Sequence, residues 1–315
     1  MDKLTEREPA TRNPLVAAPA LAVQFFLIPL VVVGATVMLY AGFRSLVTDR
    51  KTAQVYIAEV RTGGSNRQWP AAFELSRLMD DPLVRRDPAV AADLVKAFDD
   101  AKEGDPRVRK YLALAIGRLE PPLPAEAVRV LLRSLDDPEK PWTPDMFSRI
   151  NGWTAEMNEA HISTIWALGG SGDPSVVPRL QPLCASPDAG IRKVVVYALG
   201  ALPGDAQVVT LRTALQDPAA DVRWNAAVAL ARHGSHEGVP VLRQMLDRSY
   251  VERAVTRIVR QDEDQDPIAD VIISGLRAVA VLKDAALKPS VETLSQQDRS
   301  MKVRQAAIEA LRVIG

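Results

Sequence analysis

Apolar residues recur in one helical pattern from near residue 67 to the last residue of the chain, and the clearest copy is residues 221–230, D-V-R-W-N-A-A-V-A-L. Aligning the chain on the Arg of V-R places Gln68, Arg109, His161, Arg192, Arg223, Ile272 and Arg304 in one column. Four positions on stand Ala72, Ala113, Ile165, Val196, Ala227, Leu276 and Ile308, and three further stand Leu75, Ile116, Leu168, Leu199, Leu230, Val279 and Leu311. Both columns are apolar throughout. Spacing of i, i+3 and i+4 marks the buried stripe of a helix, and the alanines let neighbouring helices approach closely.

Shorter apolar segments such as 175–184 and 206–215 fall between these helices, which predicts two helices per repeat and about seven pairs. Asp-Pro steps at Asp81-Pro82, Asp105-Pro106, Asp137-Pro138, Asp173-Pro174, Asp217-Pro218 and Asp266-Pro267 mark joints. There Asp can cap a helix and Pro fits its first turn. Gly169, Gly200 and Gly234 are expected to stop the inner helices.

Ahead of the repeats the pattern changes. Residues 1–13 mix both charges without apolar periodicity and read as a flexible tail. Residues 20–43 carry no charge and a single amide, Gln24. At about 1.5 Å per residue that run is long enough for a roughly 30 Å hydrocarbon core and too long for the apolar core of a cleaved signal peptide. The sequence therefore predicts one transmembrane helix within 14–45, with Pro29 as a kink and Tyr40 at an interface. Basic residues flank both ends: Lys3, Arg7 and Arg12 on one side, Arg44, Arg50, Lys51 and Arg61 on the other. The expected address is a bacterial-type cytoplasmic membrane, crossed once, with the repeats on the cytoplasmic side.

The string V-R-W-N-A-A-V-A-L-A-R-H-G, residues 222–234, resembles the inner helix of HEAT repeats, in the short form also seen in phycobilin lyases. The resemblance extends over roughly 51–315 and is weakest at Ile272, where Arg is replaced, as it is at Gln68 and His161. It implies an all-α fold: a HEAT-like α-solenoid over 46–315. It also implies that Arg109, Arg192, Arg223 and Arg304 serve an Arg-Asp ladder between repeats, and that the inner helices line a concave face.

Column spacing is 31 between Arg192 and Arg223 but 52 between Arg109 and His161 and 49 between Arg223 and Ile272. Two insertions follow, at about 136–158 and 248–266. The first carries Pro138, Pro141, Pro144, Trp142, Phe147 and Trp153, and reads as a loop that either contacts a partner or folds over its own repeat. The second opens as a basic amphipathic helix with Arg253, Arg257 and Arg260 opposite Val251, Val255 and Ile258. Its continuation, Asp262, Glu263, Asp264, Asp266 and Asp270, imitates a calcium loop. Pro267 stands where the turn glycine belongs and Ile273 where the bidentate Glu belongs, so calcium is not expected.

Lys plus Arg and Asp plus Glu number 39 each, so no net field favours nucleic acid. The lone Cys184 makes neither an internal disulfide nor a metal site and reads as a small buried residue. The three histidines, His161, His233 and His236, come with no nucleophile motif and no phosphate-cradling glycine loop. A HEAT-like enzyme family holds two irons on several His-Glu pairs, whereas this chain has the single pair His236-Glu237. No catalytic residue, metal, cofactor or small-molecule substrate is expected, and the chain reads as a non-enzyme.

Large residues collect one and five positions after the Arg column. The five-step row is Phe73, Leu114, Trp166, Tyr197 and Val228, and the one-step row is Trp69, Lys110, Ile162, Lys193 and Trp224. Either row packs on the next repeat or lines a groove for a protein. The candidate partner-binding residues are accordingly Trp69, Phe73, Lys110, Trp142, Trp153, Trp166, Lys193, Tyr197, Trp224 and Val228. The chain ends directly after its last inner helix, which suggests docking of that end on a partner or second copy. The function expected is a membrane-anchored scaffold or adaptor in a membrane complex. The alternatives are an accessory subunit of a transporter, packed through Gln24, Gly34 and Gly42, and a HEAT-like enzyme such as a lyase.

Overall fold

The computed structural model describes residues 28–47, 52–102, 104–136, 153–255 and 266–315, and it divides into two units, Met1–Thr52 and Ala53–Gly315. In the first unit the described element is helix α1, Ile28–Val47. Its Leu30, Val31, Val32, Val33, Val37, Met38 and Leu39 are exposed.

The expected single-pass membrane anchor and its address are corrected here: no described helix is long and apolar enough to cross a membrane. Pro29 lies within α1. The uncharged part of the helix ends before Arg44. The rest of the apolar run, and the 1–13 tail, lie outside the described residues.

The second unit is a succession of helix pairs. It begins with α2 (Ala53–Thr62), α3 (Ser65–Leu78), α4 (Pro82–Arg85), α5 (Pro88–Asp100), α6 (Pro106–Gly117) and α7 (Ala125–Ser134). After the undescribed 137–152 come α8 (Trp153–Gly169), α9 (Val177–Leu180), α10 (Ala189–Ala201), α11 (Val208–Ala214), α12 (Ala220–Arg232), α13 (Val239–Met245) and α14 (Arg248–Val255). The last three are α15 (Pro267–Leu282), α16 (Lys288–Gln297) and α17 (Met301–Ile314). Among the described residues there is no strand.

The helices bearing the Arg column, α3, α6, α8, α10, α12, α15 and α17, pack each on the next. Shorter helices cover their other side. Both apolar columns are buried from the first repeat to the sixth, from Ala72 and Leu75 through Leu276 and Val279. In the seventh, Ile308 on α17 is 38% exposed, whereas its equivalents are covered by the following inner helix.

Local signals set the joints. Asp81, Asp105, Asp173 and Asp266 each accept a backbone N–H at the start of a helical segment whose first residue is Pro. Asp137-Pro138 lies outside the described residues. Asp217 is different, because its carboxylate also serves the neighbouring repeat, as shown below.

Two of the three glycines expected as stops have a second task. Gly234 leaves α12 with φ +70 and does terminate it. Gly169 is the last residue of α8 and Gly200 the last but one of α10, and both also stand at a close approach between neighbours. A Cβ on Gly169 would stand 2.6 Å from Ala198 Cα, and one on Gly200 2.8 Å from Ala229 Cα. Gly117 repeats the arrangement, 2.8 Å from Ala167 Cα. Each glycine sits eight positions after the Arg column and faces the alanine six positions after it in the next repeat.

The insertions resolve in part. Trp153, counted in the first loop, lies in α8. The second insertion does open as a helix, α14, with Val251 and Val255 buried and Arg253 exposed. Arg257, Arg260 and the acidic run to Asp264 lie outside the described residues.

Candidate functional site

Consecutive inner helices present residues one, two, five and nine positions after the Arg column along one face. The Arg column itself lies behind that face, at the joints. Arg192 holds Asp217 of the next repeat with two prongs, Nε to Oδ2 at 2.8 Å and Nη2 to Oδ1 at 3.0 Å. Its Nη1 donates to the carbonyls of Ser186 and Pro187, which precede its own helix. Arg223 makes the same backbone bonds to Asp217 and Pro218. Asp217 also accepts from the Ala219 amide. Hydrogen bonding to Arg192, opposed by partial burial, holds its carboxyl below the usual carboxylate range. Arg109 lies over the Phe98 ring, 5.3 Å from its centroid.

The one-step row bridges repeats. Three members meet the residue two positions before the next Arg column: Arg107 stacks over Trp69 at 5.0 Å, Lys110 donates to Glu159 at 2.5 Å, and Lys193 lies 3.6 Å from Asp221. Ile162 takes the same place against Gly190, where an added Cβ would lie 3.5 Å from Ile162 Cδ1. Trp224 is only 6% exposed, so it is a core residue rather than the lining of an open groove. This role was not legible in one helix alone, because the partner belongs to the next repeat.

The five-step row keeps open surface. Phe73, Leu114, Trp166 and Val228 are half-buried, and Tyr197 is 36% exposed. Phe73 meets Tyr111, which the column reading passed over, edge to face with centroids 5.2 Å apart and planes at 71°. Cations border the row: Arg77 lies 5.8 Å from the Phe73 centroid, Lys110 5.2 Å from that of Tyr111, and Arg232 5.7 Å from that of Tyr197. Beside Tyr197 and Arg232 an open depression of about 620 Å³ is lined by Gly200, Leu202, Pro203, Gly204, Asp205 and His233, among others. Of the remaining candidates, Trp142 lies outside the described residues and Trp153 lies in α8.

Groups with chemical potential are dispersed. His236 Nδ1 lies 2.9 Å from Asp284 Oδ2, and His233 Nε2 lies 3.3 Å from Gln207 Nε2. Burial, aided by Asp217, pushes the Cys184 thiol up to about 11, so it is not a thiolate at neutral pH. Among the described residues no group of three or more His, Cys, Asp or Glu side chains is placed to hold a metal ion.

A family model described as PBS lyase HEAT-like repeat matches residues 222–248, which take in α12 and α13. No curated protein matches the sequence. Among solved structures the chain is similar to human deoxyhypusine hydroxylase in complex with glycerol, at 19% identity and a TM-score of 0.34, over 86% of this chain and 98% of that one. The expectation of a non-enzyme is corrected by the family match. The matched repeat is named for a lyase, so a repeat of this kind does not place a chain outside the enzymes. The chain carries a HEAT-like repeat at 222–248, within a succession of helix pairs that keeps the same column register on either side.

Proposed function

We propose that the five-step face of α3, α6, α8 and α10 binds a segment of another protein. One observation carries this reading. After every joint between repeats has been made, Phe73, Tyr111, Trp166 and Tyr197 still keep part of their rings at the surface, with Arg77 and Arg232 beside them. Aromatic rings bordered by guanidinium groups combine large contact area with low ordering cost, which is the make-up of energetic centres in protein interfaces. The depression beside Arg232 gives this end of the face depth. The one-step row supports the face from beneath, since Trp69, Lys110 and Lys193 fix neighbouring helices relative to one another.

A photo-crosslinking residue placed at Tyr197 tests the reading in cells producing the full chain, with the same residue at Val209 as the comparison. Val209 is 66% exposed on α11, away from this face. The expected result is a discrete crosslinked protein from position 197 that is missing from 209, and that is lost when Trp166→Ala is added. Crosslinks of equal pattern from both positions would sink the proposal.

A further inference from the structure

The Arg–Asp joint between α10 and α12 has no regular counterpart in the sixth repeat, and α14 stands in its place. Between α10 and α12 the rule is simple: the Arg of one repeat holds the Asp six positions before the Arg of the next, as Arg192 holds Asp217. By that rule Arg223 would take Asp266, and the residue at 272 would take Asp298. Asp266 instead caps α15 by accepting from Ala269, and position 272 is a fully buried Ile with no donor.

Both missing contacts are supplied from α14. Arg223 Nη2 donates to the Tyr250 hydroxyl at 3.1 Å. Arg248 takes Asp298 with two prongs, Nε to Oδ2 at 2.8 Å and Nη2 to Oδ1 at 2.7 Å. The geometry matches that of Arg192 and Asp217, and it is more enclosed, with side-chain exposures of 15% for Arg248 and 1% for Asp298. Asp298 also accepts from the Ser300 amide, and its carbonyl accepts from Arg304 of the seventh repeat. A second pair runs alongside, Arg299 to Glu252 at 3.0 Å. Val251 and Val255 seat the helix in the core.

We infer that α14 is a strap that supplies this Arg–Asp joint to the seventh repeat, so that the order of α16 and α17 depends on a helix outside their own pair. A planar guanidinium in a two-pronged, enclosed contact cannot be replaced by solvent without leaving Asp298 buried and unpaired. Release of α14 therefore loosens α17 selectively.

Hydrogen exchange of the full chain, followed by peptide mass, tests this. In Arg248→Ala, amides of α17 are expected to exchange about tenfold faster or more, while those of α10 keep the wild-type rate. Arg248→Lys keeps the charge but not the two-pronged contact, and is expected to fall between the two. Adding Ile272→Arg to Arg248→Ala restores the donor at its regular place, and is expected to recover at least part of the protection. Unchanged α17 exchange in both Arg248 variants, or an equal rise in α10 and α17, overturns the inference.

Discussion

Arg192 and Asp217 face each other across the joint between α10 and α12, and each does a second task there. Arg192 also closes the carbonyls that precede its own helix, and Asp217 also accepts the first amide of the turn into α12. Removing either partner thus opens two joints. Arg192→Ala is expected to lower unfolding free energy by about 2–3 kcal/mol, since it leaves a largely enclosed carboxylate without its cation. Urea unfolding of the full chain measures it. A loss under about 0.5 kcal/mol would mean that the pair is no more than a surface contact.

Acid should act on the same joints. The carboxyls of Asp217 and Asp298 are both held below the usual range. For Asp298, burial pushes the value up, and the hydrogen bonds from Arg248 and from the Ser300 amide outweigh it. A carboxyl lowered in the folded state adds stability that is complete above its unfolded value, near about 4, and is lost as pH falls through the folded value. Stability should therefore decline with a steepening slope below about pH 4. In Asp217→Asn the decline should be shallower from a lower starting point. A variant with the wild-type slope would contradict the assignment.

Gly200→Ala sets helix propensity against space. Alanine in a helix interior is favoured over glycine by about 1 kcal/mol. Here its methyl would press on Ala229, backbone included, and overpacking of that kind costs about 1–3 kcal/mol. A net loss of about 1 kcal/mol is expected in thermal unfolding, with a gain in stability as the result that would refute the close approach.

The two aromatic rows should separate cleanly. Trp224→Ala empties a buried site and is expected to cost about 3–5 kcal/mol in denaturant unfolding. Tyr197→Ala, at a partly open position, should cost about 1 kcal/mol or less in the same measurement. Equal destabilisation by the two would place Tyr197 in the core as well.

Much of the repeat could be read in advance because its determinants lie within one helix. The columns beginning at Ala72 and Leu75 needed only a 3.6-residue period, and they are buried as the period demands through the sixth repeat. Asp105 and Asp266 were legible as caps because Asp followed by Pro has few other uses at a helix start. What escaped the sequence depends on a second helix. Lys193 looks like an open basic residue until Asp221 is set opposite it, and Trp224 looks like groove lining until it is found enclosed. Gly169 and Gly200 read as stops because a glycine near a helix end usually is one, and nothing local reports that Ala198 and Ala229 lie against them. Ile272 was legible as a broken column, but its substitute, Arg248, stands 24 positions earlier, where no period points.

The glycine contacts have a mechanical consequence. At Gly117, Gly169 and Gly200, successive inner helices touch backbone to backbone close to their C-terminal ends, whereas near their N-terminal ends they are spaced by the side chains of Arg192, Lys193 and Asp217. Backbone contact has almost no give, and long side chains have several rotatable bonds. Bending of α6, α8, α10 and α12 against one another must then pivot at the glycines and spread at the opposite ends, as the ribs of a fan turn about their rivet.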